Sequence, residues 1–142
     1  MCVIEGDFMN RQYRQIHGTM LTVLILCCFV IVSDLEAASI NLLFDDKMPQ
    51  AAFAASDIQA ALKAKGHNVK QLRLMQLSQV ADSVRIVLSL SSNKDVIHAL
   101  RSEGAKLPGT LRSEGYSIRS SSKAGRATYW VLGEDAGGVM YG

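Results

Sequence analysis

Cysteine is scarce and confined to the front of the chain. The three present are Cys2, Cys27 and Cys28, and no thiol follows them. A disulfide framework and a thiolate metal site are therefore excluded from everything behind position 38. Charge of one sign is also lacking. The stretch from Ser39 to Gly142 carries 13 Lys plus Arg against 9 Asp plus Glu, scattered without a run or stripe. Nucleic-acid and membrane-surface binding want such a stripe, so neither is expected of this stretch. Metal-ligand spacing is missing as well: His67 and His98 lie far apart with no cysteine or paired acids near them. No Gly-x-Ser-x-Gly elbow accompanies the serines at Ser91-Ser92 or Ser120-Ser121-Ser122. Internal repeats and low-complexity segments are absent too.

The first positive feature is the uncharged apolar run from Met20 to Val32. Arg11, Arg14 and His17 precede it, and Ser33-Asp34-Leu35-Glu36-Ala37-Ala38 follows. A basic region, a short apolar region and small residues at the end are the three parts of a secretory signal. A spanning helix needs about 20 apolar residues, and this run is shorter. Cutting after Ala37 leaves the large Leu35 at the third position back, so a retained membrane anchor stays open beside a cleaved signal. The expected domains are a leader over 1–38 and one folded unit over 39–142. The expected address is outside the cytoplasm: periplasmic, extracellular or membrane-anchored, with membrane contact only through the leader. The 104 residues from Ser39 to Gly142 suffice for one cored domain without staples.

Within that unit, Ser39 to Phe44 reads as a buried strand ended by Asp45-Asp46. Pro49 suits a helix start. Gln50 to Lys65 is rich in Ala and Leu, with Phe53, Ile58, Ala61 and Leu62 near helical spacing beside Ala54 and Ala55, and Gly66 stops it. His67 to Leu74 alternates as a strand does, and Gln76 to Ser83 reads as a polar loop or short turn. Val84 to Leu90 is a second buried strand. Ser91-Ser92-Asn93 offers caps for a short helix on Val96, Ile97 and Leu100, closed by Gly104. Strands at Glu114–Arg119 and Arg126–Leu132, joined by a polar turn over Ser120–Gly125, read as an antiparallel hairpin. An apolar element begins at Val139. The expected architecture is α+β, in the order strand-helix-strand-strand-helix-strand-strand, with one mixed sheet carrying two helices on one face.

Asp45 and Asp46 are the best-placed carboxylates, because strand ends often carry active-site residues. Turn chemistry before Pro49 favours a solvated turn there instead. Tyr129 and Trp130 can each stack on a sugar or a base, but adjacent strand residues face opposite ways, so at most one reaches a given surface. Gly133-Glu-Asp-Ala-Gly-Gly138 lacks the spacing and the lysine of a phosphate loop, and Glu134 and Asp135 repel phosphate.

Three stretches near the end carry a resemblance: Ser113-Glu-Gly-Tyr-Ser-Ile-Arg119, Thr128-Tyr-Trp-Val-Leu-Gly133 and Asp135-Ala-Gly-Gly-Val-Met-Tyr-Gly142. Together they resemble the N-terminal domain of alpha-glucuronidases and the corresponding domain of beta-hexosaminidases. The resemblance extends to Val84–Leu90 and to the opening strand and helix over Ile40–Gly66. It implies a non-catalytic α+β accessory domain packed before the catalytic barrel of a secreted glycoside hydrolase. The implied partners are that barrel, which this chain does not contain, and a polysaccharide. The chain then reads as a fragment cut short before the barrel, and Tyr141 reads as a core anchor. The catalytic carboxylates of those families lie on the barrel, so no catalytic, cofactor-binding or metal residue is assigned and no cofactor is expected. A stand-alone exported binding domain is the alternative, and an enzyme using Asp45 or Asp46 is a third reading.

Overall fold

The computed structural model describes residues 39–80 and 83–142. The expected leader, and with it the apolar run from Met20 to Val32, lies outside them.

Strand β1 (Ser39–Phe44) leads into helix α1 (Pro49–Ala64) and strand β2 (Asn68–Arg73). A 3-10 helix (Leu74–Gln79) then precedes β3 (Val84–Leu90), α2 (Lys94–Ser102), β4 (Tyr116–Lys123), β5 (Arg126–Gly133) and α3 (Ala136–Tyr141). The expected order of strands and helices is present, and the polar loop after β2 is the 3-10 helix. The five strands form one mixed sheet in the order β2-β1-β3-β5-β4. Neighbours are parallel except β4, which runs antiparallel to β5 along one edge.

Local chemistry sets the helix ends. Pro49 stands in the first turn of α1, and Gly66 after it adopts φ of +84°, a left-handed stop that costs glycine little. The Asn93 side chain accepts from the Asp95 and Val96 amides and starts α2. Gly104, with φ of +75°, follows its end. The hairpin is tighter than expected. Ser120 to Lys123 belongs to β4, paired with Arg126 to Tyr129, and Ala124-Gly125 alone makes the turn with both φ positive. Such a two-residue turn matches the twist of the strands it joins.

The helices lie on both faces of the sheet, not on one. Ile40, Leu42 and Phe44 of β1, with Leu88 and Val131, pack against Ala51, Ala54 and Ala55 of α1 and Val139 of α3. Leu43, Val87, Trp130 and Leu132 point the other way, onto Val96 and Leu100 of α2 and Leu77 of the 3-10 helix. Crossover handedness is the reason. From β1 the chain steps to β2 on one side, then back across β1 to β3 on the other. Right-handed connections running in opposite directions must lie on opposite faces.

The inward stripe of α1 is Ala51, Ala54 and Ala55, continued by the half-buried Ile58 and Leu62. Phe53 and Ala61, expected on that stripe, are exposed. Alanines let α1 approach both the sheet and α3, and Phe53 lies nearly half a turn from the centre of the stripe. Tyr141 is likewise exposed and is not a core anchor. In α3 the buried positions are Gly138 and Val139, so Tyr141 falls on the outer side.

Candidate functional site

Two surfaces follow from this topology. The first is a groove of about 750 Å³ on the α2 face. It begins where β1 and β3 end, and those adjacent strands send their following helices to opposite faces. Open α/β sheets bind ligands at such a switch point, outside the carboxyl ends of the strands. Asp45, Asp46, Asn93 and Asp95 line that end, and Arg85, Glu103, Lys123 and Arg126 line the other.

The carboxylates at the strand end are already engaged. Asp45 Oδ1 accepts the Lys47 amide at 3.0 Å, and the Asp45 carbonyl accepts the Met48 amide at 3.1 Å. This is the turn that delivers the chain to Pro49. Asp46 faces the Arg73 guanidinium at 3.2 Å, with both side chains largely in solvent. His98 lines the groove, whereas His67 sits just before β2 and does not line it. Among the described residues no group of three potential ligands is placed to hold a metal ion. Ser91 Oγ donates to the Glu134 carboxylate at 3.2 Å, and both groups are near the surface. Tyr129 and Trp130 face opposite ways as expected, with Trp130 buried and Tyr129 exposed.

The far end of the groove holds a buried ion pair. Arg85, 3% exposed, is the single charge within the apolar β3. It donates to Glu103, to Thr128 Oγ1 at 2.9 Å and to the Leu77 carbonyl at 3.2 Å. Glu103 also accepts from Ser121 at 2.7 Å and from Arg126 at 3.4 Å, and the Trp130 indole donates to Ser121 at 2.9 Å. Burial alone would raise the Glu103 carboxyl. Hydrogen bonds from Ser121, Thr128 and Arg85, with the Arg85 charge, outweigh it and hold the pKa below the ordinary value. Arginine donors and the Glu103 carboxylate that accepts from them tie the end of α2 to the sheet, which is a structural task. The lone Arg in Val84-Arg85-Ile86-Val87-Leu88 was the sequence signal for this pair, since a buried charge needs a partner.

The second surface is built by the three resembling stretches, which meet in one joint. Asp135 caps α3 by accepting the Gly138 amide at 2.9 Å, and it also accepts the Glu114 amide at 2.9 Å and Ser113 Oγ at 3.2 Å. The Glu114 amide, then the Gly138 amide, hold its carboxyl below the usual range. A Cβ at Gly138 would stand 2.3 Å from the Gly115 carbonyl, and one at Gly133 would stand 2.2 Å from the Val139 amide nitrogen. The glycines are thus required by close backbone approach rather than by turn shape. The joint aims α3 back along β5. Beyond it, Tyr116, Ile118 and Tyr129 lie on the α1/α3 side of the β4–β5 ladder at 48%, 51% and 47% exposure. Ser120 and Ser122 extend this face without adding charge.

On both surfaces serine hydroxyls donate to carboxylates, Ser121 to Glu103 at 2.7 Å, Ser91 to Glu134 at 3.2 Å and Ser113 to Asp135 at 3.2 Å. Comparison with family models, curated proteins and solved structures finds no match for this chain.

Proposed function

We propose that residues 39–142 form the non-catalytic N-terminal accessory domain of a secreted glycoside-hydrolase-like enzyme. Its catalytic barrel then follows in the parent polypeptide, and the leader directs the whole outside the cytoplasm. The observation that carries this reading is the joint. The three stretches that resemble alpha-glucuronidase and beta-hexosaminidase domains are apart in sequence, and each contributes to one contact: Glu114 and Gly115, Gly133, and Asp135 with Gly138. Their residues work on backbone packing rather than on a substrate, as expected of a domain whose task is to support a neighbour.

A stand-alone exported binding domain is the second reading, and the groove at the switch point favours it. Reading the source transcript past the codon for Gly142 separates the two. Strand–helix alternation typical of a barrel is the expected result. A stop codon in intact sequence overturns the accessory-domain reading and leaves the binding domain.

A further inference from the structure

We infer that the groove between α2 and the 3-10 helix binds a short zwitterionic peptide, with its ammonium at Asp95 and its carboxylate at Lys123. This goes beyond the accessory-domain reading and does not rest on it, because the groove belongs to this domain whether or not a barrel follows. Its volume of about 750 Å³ falls within the roughly 300–1,000 Å³ of small-ligand sites. One wall is a stripe of α2, where Asp95, His98, Ala99 and Ser102 stand at helical spacing while Val96 and Leu100 pack into the core. The 3-10 helix supplies the apolar part of the lining with Leu74, Met75 and Leu77. Met75 is 78% exposed, and an unbranched thioether adapts to whatever side chain is laid against it.

The two ends of the groove carry opposite charge. At the strand end Asp45, Asp46 and Asp95 stand against Lys47 and Arg73, an excess of one carboxylate. The turn holds Asp45, and Arg73 pairs with Asp46. The Asp95 amide donates to Asn93 Oδ1 at 3.1 Å, but its carboxylate has no partner among the described residues. At the hairpin end Arg85, Lys123 and Arg126 stand against Glu103, an excess of two cations. Both arginines meet Glu103. Lys123 Nζ donates to the Ser102 carbonyl at 3.0 Å, which uses one of the three donors of an ammonium.

That bond also fixes the span. It puts the Lys123 ammonium beside Ser102, two turns of α2 beyond Asp95. At about 1.5 Å per helical residue the two poles stand roughly 10 Å apart. An extended chain advances about 3.3–3.6 Å per residue, so a tripeptide reaches from one pole to the other, terminus to terminus. A ligand with a single charge satisfies one pole and leaves the other unanswered. The middle side chain of the tripeptide then lies over Leu74, Met75 and Leu77, where an apolar residue fits.

The test titrates Ala-Leu-Ala into the full-length chain by isothermal calorimetry. A dissociation constant on the order of 0.1 mM is expected, the level of ordinary ligand efficiency for a molecule of this size. Acetylating the amino terminus or amidating the carboxyl terminus should each weaken binding about tenfold, the worth of one charge-assisted hydrogen bond. Asp95→Asn should weaken the free peptide as much and leave the acetylated peptide unchanged. Lys123→Gln should do the same for the free and amidated peptides. Both residues are exposed, so the melting temperatures of the variants should match the parent. The modified peptides probe the parent chain itself, so they decide the matter even if a variant unfolds. Absence of heat at peptide concentrations well above that constant overturns the inference. So does an equal loss for free and acetylated peptide in Asp95→Asn, because the ammonium then binds elsewhere. Displacement of Ala-Leu-Ala by xylohexaose, indifferent to Asp95→Asn, assigns the groove to a polysaccharide and sinks it too. The transcript past Gly142 tests the accessory-domain reading and leaves these titrations untouched, so the two failures are separate results.

Discussion

Adjacent glycines in the first turn of α3 are expected to respond oppositely to the same substitution. In Gly138→Ala the new methyl meets the Gly115 carbonyl oxygen at 2.3 Å and the Gly133 Cα at 3.2 Å. Both are backbone atoms held in the sheet and its approach, so neither can rotate away. Overpacking of this kind costs about 1–3 kcal/mol. If α3 lifts to relieve it, the fully buried Val139 loses roughly 2 kcal/mol of burial. The helix-propensity gain from alanine offsets at most about 1 kcal/mol. The net expectation is a loss of about 2 kcal/mol, or roughly 10 °C in melting temperature for a domain of this size. In Gly137→Ala the nearest atoms are Asp135 Oδ1 and Glu114 Cγ, each at 3.3 Å. These belong to side chains that can give by a few tenths of an ångström. That variant is expected within about 0.5 kcal/mol of the parent. Urea unfolding followed by fluorescence of the single tryptophan, the buried Trp130, measures both. Equal losses in the two variants would refute the claim that the joint is set by backbone contact at Gly138.

Three further outcomes follow from the polar network and the joint. Glu103→Gln leaves the buried Arg85 without its counter-charge and is expected to cost about 3–5 kcal/mol. The double variant Arg85→Met with Glu103→Leu should recover most of that, and urea midpoints decide whether it does. Glu103 and Asp135 both titrate below their ordinary values of 4.5 and 3.8 in the folded state. The unfolded chain therefore takes up protons first, so their contribution is complete above about pH 4.5 and is lost as pH falls through the depressed folded values. Urea midpoints should fall steeply in that acid window, and Asp135→Asn should flatten part of the slope while lowering stability at neutral pH. Asp46→Asn breaks a solvent-exposed pair with Arg73 and should change stability by less than about 1 kcal/mol. A larger thermal shift would show that the strand end does more than turn.

Much of the fold was legible because the local signals agreed. The Pro49 start, the Gly66 and Gly104 stops and the Asn93 cap each marked a boundary within a few residues. The strand order was legible only in part, since hydrophobic pattern gives strands but not which side of β1 a strand pairs on. The two-sided cover was nevertheless written in β3. Val84 to Leu90 is apolar on both faces apart from Arg85 and Ser89, and a run without alternation calls for helices on both sides. A one-face arrangement left Val87 and Trp130 with nothing to pack on. The partner of Arg85 was hidden for another reason. Glu103 lies past the end of α2, and only the return of that helix across β3 and β5 brings it to the sheet. For the joint, the sequence displays Gly115, Gly133 and Gly138 but not what each faces. Their meaning depends on three backbones meeting. Ser120 to Lys123 was misread because serines look like turn residues, yet an edge strand with one open face accepts them.

The distribution of polar groups argues about where function resides. Asp45 serves the turn into α1, Asp135 serves the joint, and Arg85, Glu103, Ser121 and Thr128 serve one another. These ionisable groups are thus engaged by partners within the fold. A separate patch is apolar. Tyr116, Ile118 and Tyr129 keep about half their surface in water on a face that already carries the end of α3. Large apolar side chains left together on a sheet add aggregation risk and little stability unless something covers them. That apolar patch is the feature that fits the proposed role of packing against a neighbour.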